Sequence, residues 1–310
     1  MSVAILSSKL ARTNIILLLI VIGLSLIAWF QPGLKTTVLH YLSDLKSAEI
    51  NTIIIERKDL DSIKLSKKKS GWYLQEPYYL PANPLRVNTV LALAEKRSYT
   101  QFQSSEQDLS RYQLDKPLIS VWLNETQLIL GSDDPIKKQR YAMNITANIN
   151  TGDNNVHLIN AAIFYQLRAN LDSFVSPHLL PPQAKLTRIE WSDKQLQIKE
   201  GKWVLTPDLP DTSSDSIVQL IQFWQHAQAR RVETHVNLSL TNAELLNSPR
   251  IIIRYELAEN NANPAKSGAI QYLIIQEDKQ IKLLRTDLQI AYWISAKTLK
   301  QLSEFLPLSP

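Results

Sequence analysis

One uncharged stretch constrains this chain more than any other part of its sequence. Residues 14–30 read NIILLLIVIGLSLIAWF, and the 22 positions between Arg12 and Lys35 carry no charge. As a helix these positions would extend about 33 Å, which matches the roughly 30 Å hydrocarbon core of a bilayer. The sequence therefore predicts a transmembrane helix over residues 14–31. Its membrane-anchoring side chains are Ile15, Leu18, Ile22, Leu26, Trp29 and Phe30.

A cleaved secretory signal is the alternative interpretation of this stretch. Signals have an apolar region of about 7 to 15 residues, followed by small residues at the cleavage site. Here the run is longer and ends in the bulky Trp29-Phe30, which favours an uncleaved anchor. The tail over residues 1–13 contains Lys9 and Arg12 and no acidic residue, so the positive-inside rule predicts a cytoplasmic N-terminus. We therefore expect a single-pass protein of the bacterial inner membrane with most of its chain in the periplasm.

The composition excludes several kinds of chemistry. The 310 residues contain no cysteine, and therefore no disulfide, thiol nucleophile, cysteine metal ligand or lipidated cysteine. The formal net charge is +5, of which Lys9 and Arg12 supply two, so +3 remains beyond the predicted helix. That excess is too small to indicate nucleic-acid binding. At about 100 to 200 residues per domain, the length of the exterior predicts two domains.

A second apolar pattern follows the predicted membrane helix. Leu34, Val38, Leu42 and Leu45 recur at helical spacing, so we predict a juxtamembrane helix over residues 32–48. This helix would either lie on the lipid surface or pack on the domain that follows. Packing on the domain is favoured, because apolar stripes usually belong to a core.

The remaining sequence repeats itself once. Strand-like segments, a Gly/Trp/Pro block, a helix, further strands and a closing helix occur in the same order in residues 49–182 and 183–310, at offsets of about 131 to 136 residues. We therefore predict an α+β fold with two tandem periplasmic modules, each a mostly antiparallel sheet with packed helices. The tryptophans of the block are interpreted as core anchors rather than ligand contacts. The signature residues of the repeat are Trp72, Pro77, Trp203 and Pro207.

Local signals place helices and turns within the first module. Asn83-Pro84 predicts a helix start, with Asn as the cap and Pro at the first helical position, and Asn160 is predicted to cap a later helix. Asn124-Glu125 predicts a hairpin turn, residues 67–71 a second turn, and the Asn-rich residues 148–155 a loop. The three lysines of the second turn are interpreted as a solvated edge rather than a site for lipid headgroups.

The sequence contains no established catalytic or cofactor motif. Its seven glycines form no phosphate loop or dinucleotide fingerprint, and no Gly-x-Ser-x-Gly elbow occurs. The five histidines include no His-x-x-x-His pair, so metal binding at His226 and His235 ranks below a polar surface or core role. Asp133-Asp134, and Asp208 with Asp211, lie in turns where aspartate bends the backbone, and calcium binding there has no support. We therefore predict no enzymatic activity, no cofactor and no metal.

Several motifs carry a resemblance to a known family. Residues 108–117 read DLSRYQLDKP, and Gly131, Arg140-Tyr141-Ala142 and the VHLI of residues 156–159 follow. These motifs resemble a bacterial envelope family known only as a domain of unknown function. Its members have one N-terminal span and a duplicated β-rich exterior, and the resemblance covers most of residues 49–305.

The resemblance has one local departure and one functional implication. The family usually shows Tyr-Gly-Leu where this chain has Tyr112-Gln113-Leu114, so a turn glycine is missing. Genes of the family often lie beside those of transporters related to the gliding-motility ABC exporters, which implies an accessory role. The family brings no established catalytic residue to this chain.

Two hypotheses of function follow. In the first, the chain is a non-enzymatic bitopic scaffold or accessory subunit, and its helix packs on integral-membrane transporter subunits of the ABC type. In the second, the modules bind an envelope lipid or a cell-wall fragment in a cleft between them, which predicts an apolar or aromatic pocket there. An envelope hydrolase is a weaker third hypothesis, because it would need a clustered His/Asp/Ser constellation.

Overall fold

A long apolar helix begins the described part of the chain. The computed structural model describes residues 9–30, 40–151, 154–208, 212–236, 248–257, 266–277 and 280–295. Helix α1 (Lys9–Phe30) has 22 residues, of which Ala11–Trp29 are apolar enough to cross a membrane, judged by length and composition. Its large apolar side chains are exposed. The predicted span over residues 14–31 therefore lies in a helix that already starts at Lys9, and Gln31 is outside the described residues.

The described part of the segment that follows α1, residues 40–48, contains no α-helix, and only a 3₁₀ turn begins at Ser47. His40–Tyr41 form strand β1, which pairs antiparallel with Arg97–Ser98. The prediction of a helix over residues 32–48 is therefore wrong from residue 40 onward. Leu34 and Val38, two of the four apolar positions behind that prediction, lie outside the described residues.

The other two apolar positions of that pattern belong to the core. Leu42 is buried, and Leu45 packs against the same hydrophobic cluster. The Ser43 hydroxyl donates to the Ala94 carbonyl at 2.7 Å, and the Leu42 N–H donates to the Lys96 carbonyl at 2.9 Å. The apolar positions pack on the domain, as expected, but they do so from an irregular backbone.

The first half of residues 40–310 builds a nine-stranded antiparallel sheet. Its strands and the short pair beside it are β1 (His40–Tyr41), β2 (Thr52–Arg57), β3 (Leu60–Lys68), β4 (Gly71–Glu76), β5 (Leu80–Pro81), β6 (Arg97–Ser98), β7 (Thr100–Gln103), β8 (Ile119–Leu123), β9 (Thr126–Asp133), β10 (Gln139–Asn144) and β11 (Asn155–Asn160). The order across the sheet is β5-β4-β3-β2-β8-β9-β10-β11-β7, while β1 and β6 pair separately. Strand burial alternates, as in β2, because one face covers the core.

The second half builds an eight-stranded sheet in the same manner. Its strands are β12 (Ala184–Trp191), β13 (Lys194–Lys199), β14 (Lys202–Thr206), β15 (Arg231–Glu233), β16 (Arg250–Leu257), β17 (Lys266–Glu277), β18 (Gln280–Arg285) and β19 (Ile290–Ile294). The order is β14-β13-β12-β16-β17-β18-β19-β15, which repeats the first sheet without β5. The first meander has four strands in the first sheet and three in the second. In each sheet it continues into a four-stranded meander, and a short strand from the crossover pairs with the last strand.

Short helices connect the strands. They are α2 (Pro84–Leu91), α3 (Glu106–Leu109), α4 (Ile145–Thr151), α5 (Ala162–Leu167) and α6 (Ser214–His226), with 3₁₀ turns at Ser47–Glu49 and Leu171–Phe174. The side-chain oxygen Oδ1 of Asn83 accepts from the Leu85 N–H at 3.1 Å, which confirms the predicted cap of α2. Asn160 likewise accepts from the Ala162 N–H at 2.8 Å, at the start of α5.

The predicted turns have mixed outcomes. Asn124-Glu125 joins β8 to β9, as predicted, and Asn124 has a φ of 53° in the left-handed region that such a hairpin requires. The turn predicted over residues 67–71 is shorter, because β3 continues through Lys68 and β4 starts at Gly71.

The predicted polar loop over residues 148–155 is wrong in its first part. Ile145–Thr151 form helix α4, and the Asn144 side chain accepts from the Ala147 N–H at 3.0 Å at its start. Asn148 is buried, and its amide exchanges hydrogen bonds of 3.4 Å with the backbone of Asn155. The asparagines here make local hydrogen bonds that support a helix, although the Asn-rich composition of residues 148–155 predicted a loop.

The departure from the family at Gln113 lies in a tight backbone contact. Gln113 has a φ of 54°, in the left-handed region where glycine has no Cβ penalty. The same turn lies against Gly131, where an added Cβ would be 2.0 Å from the Tyr112 carbonyl oxygen. That carbonyl accepts from the Ser132 N–H at 2.7 Å. The left-handed backbone at position 113 therefore explains why a glycine suits this turn, although this chain has glutamine there.

One buried cluster passes through both sheets. Residues 40–310 are one compact unit, and its largest hydrophobic cluster contains strand residues of both halves. The first half contributes mainly aliphatic side chains, whereas the second also contributes four large aromatic ones, Trp191, Trp224, Tyr272 and Tyr292. The chain is thus mixed helix and antiparallel sheet behind an apolar N-terminal helix, as predicted.

Candidate functional site

A cavity lined by three tyrosines lies where the two sheets meet. We call it the tyrosine cavity; its volume is about 350 Å³. The first half supplies the end of the β3–β4 hairpin and β5, and the second half supplies β16, β17 and the end of β18. The lining residues are Ser70, Tyr73, Tyr79, Leu80, Pro81, Pro181, Tyr255, Leu257, Ser267, Gly268, Ala269, Ile270 and Arg285.

Two of the tyrosines form an aromatic platform. The rings of Tyr73 and Tyr79 are stacked, with centroids 5.3 Å apart and planes 17° apart. Tyr73 is buried and its hydroxyl lies 3.0 Å from the Ser70 hydroxyl, whereas Tyr79 is 60% exposed. A fixed ring therefore supports an accessible one, which suits stacking against a flat apolar ligand face.

The third tyrosine covers a glycine on the neighbouring strand. Tyr255 in β16 is the cross-strand partner of Gly268 in β17. A Cβ built on Gly268 would lie only 2.5 Å from the Tyr255 ring, so the ring rests on bare backbone. Burial raises the pKa of Tyr255, so its hydroxyl stays protonated at neutral pH.

A cation also lines the tyrosine cavity. Arg285 forms an ion pair with Asp287, with Nη2 and Oδ2 2.7 Å apart, and its side chain is 16% exposed. Burial lowers the pKa of Arg285, but the Asp287 hydrogen bonds and nearby tyrosines outweigh burial, so the pKa lies above its ordinary value. The cavity thus combines aromatic rings, hydroxyl groups and one fixed positive charge.

A second cavity of about 460 Å³ lies elsewhere along the junction of the two halves. We call it the arginine cavity, since three of its side chains are arginines. The start of α2, the connector after α5 and the start of β15 form its walls. The lining residues are Asn83, Arg86, Ala169, Asn170, Asp172, Ser173, Val175, Pro177, Ala229, Arg230, Arg231 and Val232.

The signature residues of the predicted repeat line neither cavity. Trp72 and Trp203 are half-buried and pack against the core from β4 and β14. Pro77 and Pro207 directly follow these two strands, are exposed, and are each preceded by a cis peptide bond. The fully buried tryptophans are instead Trp191 and Trp224.

The histidines and aspartates do not form a metal cluster in the described part of the chain. No group of three or more His, Asp or Glu side chains there is placed to hold a metal. The Asp134 carboxylate accepts from the Ile136 N–H at 3.0 Å, which is a turn role, while Asp133 pairs with Arg140. The His235 ring lies against Tyr78, with centroids 5.7 Å apart. Asp211 lies outside the described residues.

One histidine, His157 in β11, is buried without a partner for its Nδ1 atom. Burial, with a smaller contribution from the charge of His40, lowers its pKa from 6.5 to about 4. The imidazole is therefore neutral at physiological pH. Sequence reasoning gave His157 no role, because a strand pattern indicates the face that a residue occupies but not whether a polar side chain there has a hydrogen-bond partner.

The two cavities were not predicted residue by residue. Tyr255 lies far along the chain from Tyr73 and Tyr79, and Arg230 lies far from Arg86. The aromatic pair Tyr78-Tyr79, next to a repeated Pro, was the one local signal near the first cavity.

The fold defines a class: an apolar helix of membrane length followed by two antiparallel sheets of equivalent strand order. The chain belongs to the DUF4340 family, a domain of unknown function, which matches residues 72–249, or 178 of the 310 residues. The matched segment starts in β4 and ends just before β16, so it includes residues of both cavities. No curated protein and no solved structure matches the chain.

Proposed function

We propose that this protein is a non-enzymatic, membrane-anchored accessory subunit of an envelope transport complex, of the ABC type. The observation that carries the proposal is α1, whose segment Ala11–Trp29 has a mean hydropathy of 2.2 and contains no buried residue. Such a helix needs lipid or other membrane helices around it. Lys9 and Arg12 precede the apolar run, which favours a cytoplasmic N-terminus at the inner membrane and a periplasmic location for residues 40–310.

We also propose that the two halves arose by tandem duplication. The support is the shared strand order, in which β2, β3, β4, β8, β9, β10, β11 and β7 correspond to β12, β13, β14, β16, β17, β18, β19 and β15. Helices α2 and α6 follow the first meander of each half and carry side-chain caps at Asn83 and Ser213. Two similar platforms on one anchor suit a scaffold that contacts more than one surface of a complex.

The partner test uses the full-length chain extracted in mild detergent, followed by affinity capture and mass spectrometry. We expect integral-membrane transporter subunits to be captured with it. A matched variant replaces residues 14–30 by a leucine/alanine helix of equal length, which keeps the anchor but removes its specific surface. Loss of the subunits in that variant assigns recognition to α1, and retention assigns it to residues 40–310. Capture of the intact chain without any transporter subunit contradicts the proposal.

The topology test uses reporters fused at the C-terminus. An enzyme that is active only in the periplasm should be active in this fusion, and a reporter that fluoresces only in the cytosol should be dark. Replacing Lys9 and Arg12 by glutamate should reduce this bias, because positive charges near a membrane helix set its orientation. A fusion that fluoresces in the cytosol contradicts the proposed orientation.

The tyrosine cavity favours a second function, the binding of an envelope lipid or a cell-wall fragment. The exposed Tyr79 ring offers a stacking surface, and Arg285 offers a positive charge beside it. We expect the full-length chain to bind a disaccharide-peptide fragment of the cell wall, and Tyr79→Ala to weaken that binding about tenfold, the loss of one stacked ring. Tyr99→Ala is the matched control, because Tyr99 is also 60% exposed and does not line the cavity. Equal affinities of the two variants would exclude this site.

A further inference from the structure

We infer that the arginine cavity binds an organic phosphate through Arg86, Arg230 and Arg231. This inference does not rest on either proposed function, because it concerns a different cavity from the tyrosine cavity and none of its residues belongs to α1. It also needs no chemistry beyond reversible binding.

The first support is charge. Three arginines and one aspartate, Asp172, line the cavity, so its formal lining charge is +2. The Asp172 Oδ1 atom is already engaged, since it accepts from the Thr234 N–H at 2.9 Å and from the Thr234 hydroxyl. Like charges gathered in one concave site repel each other and attract an anion.

The second support is the free hydrogen-bonding capacity of two arginines. Among the described residues, neither Arg86 nor Arg230 has a carboxylate within ion-pair distance. Arg231 is better fixed: its guanidinium lies 4.7 Å from the Trp293 ring centroid and 3.4 Å from a Glu233 oxygen. A guanidinium presents a planar fork of donors that matches two phosphate oxygens, so arginines without acidic partners suit this ligand.

The third support is the rigidity of the cavity walls. The Asn83 amide donates to the Ser173 carbonyl at 2.9 Å, which joins the start of α2 to the connector. The Ala229 N–H donates to the Pro177 carbonyl at 2.8 Å, which joins the connector to the segment before β15. The arginines therefore project from a preformed frame, and binding requires little ordering of the backbone.

The volume of the arginine cavity limits the size of its ligand. About 460 Å³ falls within the range of roughly 300 to 1,000 Å³ typical of small-molecule sites. That space accommodates a phosphate together with the group that carries it, such as a sugar or a glycerol unit. The same chemistry is available from a soluble phosphate ester and from the headgroup of an anionic lipid, so the test must separate these sources.

The experiment uses the full-length chain in two settings. In maltoside micelles, calorimetric titration with glycerol 3-phosphate measures binding of a soluble ester, with inorganic phosphate as the smaller probe. In nanodiscs of phosphatidylcholine, with or without phosphatidic acid, the melting temperature reports binding of a lipid headgroup. Arg86→Gln and Arg230→Gln are the site variants. Arg111→Gln is the matched control, because it removes the same charge from a side chain that is 74% exposed and outside the cavity.

We expect each site variant to weaken binding about tenfold or more, since each removes charge-assisted hydrogen bonds to the phosphate, whereas Arg111→Gln leaves it unchanged. Without ligand, the site variants should melt no lower than the intact chain, because removing one of several like charges relieves repulsion. Binding of glycerol 3-phosphate supports a soluble ligand, and stabilisation by phosphatidic acid alone supports a headgroup. Binding of neither, or equal binding by site and control variants, overturns the inference.

Discussion

The two sheets place different chemistry at equivalent positions of one strand order. Arg140 in β10 pairs across the sheet with Ile159 in β11, whereas Ile281 in β18 pairs with Ile294 in β19. Both Arg140 and Ile281 are buried. A buried cation in the first sheet therefore occupies the place of a buried aliphatic residue in the second.

A second pair of equivalent positions makes the same contrast. At the positions two residues away on the same strands, His157 pairs with Ala142 in the first sheet, and Tyr292 pairs with Leu283 in the second. Burial lowers the pKa of His157 to about 4 and raises the pKa of Tyr292 to about 12. The directions are opposite because burial disfavours the charged form in each case, the imidazolium of one and the phenolate of the other. Both side chains are thus neutral at physiological pH.

This difference shows which features the strand order requires and which it leaves open. Both sheets need a continuous buried face and fill it mainly with aliphatic residues, but the first adds buried polar groups such as Arg140 and His157, and the second adds four large aromatic rings. Stability in the first sheet should therefore depend on hydrogen bonding and on pH, and in the second on ring packing.

The largest effect is expected from removing the central ring of the second sheet's core. Trp224 in α6 is 1% exposed and stacks on Tyr272, with centroids 6.3 Å apart. Trp224→Ala should lower the free energy of unfolding by about 3 to 5 kcal/mol through cavity formation. The measurement is urea unfolding of the full-length chain in micelles, followed by circular dichroism.

The comparison with the first sheet uses Val90, a buried residue of α2. Val90→Ala should cost roughly 2 kcal/mol, at about 0.8 kcal/mol per buried carbon group, which is clearly less than Trp224→Ala. Trp224→Phe should recover most of the loss, because it keeps an aromatic ring and removes an indole N–H that has no hydrogen-bond partner. Similar losses for Trp224→Ala and Val90→Ala would contradict the aromatic account of the second core.

The second largest effect is expected at the buried cation. Arg140 donates to Asp133 at 2.9 Å and to the Gly131 carbonyl at 2.5 Å, and its guanidinium lies 3.3 Å from the Phe164 ring centroid. Burial lowers the pKa of Arg140, while Asp133 opposes this change. Arg140→Ala should cost about 3 kcal/mol, since it removes all three contacts from an enclosed site.

The matched control for Arg140 is its carboxylate partner. Asp133 has a side chain that is 45% exposed, and Asp133→Asn keeps an acceptor oxygen for the Arg140 N–H groups, so it should cost less than Arg140→Ala. Arg140→Ile, which copies the residue of the second sheet, should fall between the two. Equal losses for Arg140→Ala and Asp133→Asn would show that the exposed ion pair, rather than the buried contacts, sets the stability.

Sequence reasoning predicted much of this architecture because local physical signals determine it. The charge-free run predicted α1, Asn83-Pro84 predicted the start of α2, and alternation predicted strands such as β12 to within a few residues. Each signal acts within a few residues of the chain. The helix predicted over residues 32–48 was wrong because a few apolar residues at matching intervals satisfy helical spacing while packing separately on a distant core.

The candidate sites could not be predicted in this way. Tyr79 and Tyr255 line one cavity, and Arg86 and Arg230 line another, although well over a hundred residues separate the members of each pair. Only the packing of one half against the other brings them together. Burial of His157 and Arg140 was equally hidden, because a strand pattern reports which face a residue occupies and not how a polar residue is satisfied there.

A pH effect near pH 5 is expected from His157 in the first sheet. His157 has a pKa of about 4 in the folded chain and about 6.5 when unfolded, so the unfolded chain binds more protons between these values. The stabilisation that comes from keeping His157 neutral is therefore fully present above about pH 6.5, and the free energy of unfolding falls as the pH is lowered toward 4. The loss should reach about 2 kcal/mol at pH 5.

The measurement for His157 is a comparison of unfolding curves at pH 7 and pH 5. His157→Gln cannot be protonated in this range, so its stability should change less with pH than that of the intact chain. The difference between the two proteins isolates His157 from carboxylates, which titrate in both. The matched variant Tyr292→Phe should leave this acidic difference intact, because its phenol does not titrate there. If the stability of His157→Gln depends on pH as strongly as that of the intact chain, His157 is not the cause of the pH effect.

The smallest effect separates the caps of the two equivalent helices. Asn83 accepts from the Leu85 N–H and also donates to the Ser173 carbonyl at 2.9 Å, whereas the Ser213 hydroxyl accepts from the Ser216 N–H at 3.1 Å at the start of α6. Ser213→Ala should cost about 0.5 to 1 kcal/mol, as an exposed cap does. Asn83→Ala should cost about 1 to 2 kcal/mol, because it also breaks the bond to the connector.

The two caps can be distinguished by a substitution that restores one function only. Asn83→Asp keeps an acceptor for the Leu85 N–H but removes the amide donor that reaches Ser173, so it should recover the cap without the tie to the connector. Its unfolding free energy should therefore lie between those of the intact chain and Asn83→Ala. If Asn83→Asp has the same free energy of unfolding as the intact chain, the hydrogen bond from Asn83 to Ser173 contributes nothing to stability. The two helices are then capped equivalently, and the contrast between the halves is confined to the side chains buried within the sheets.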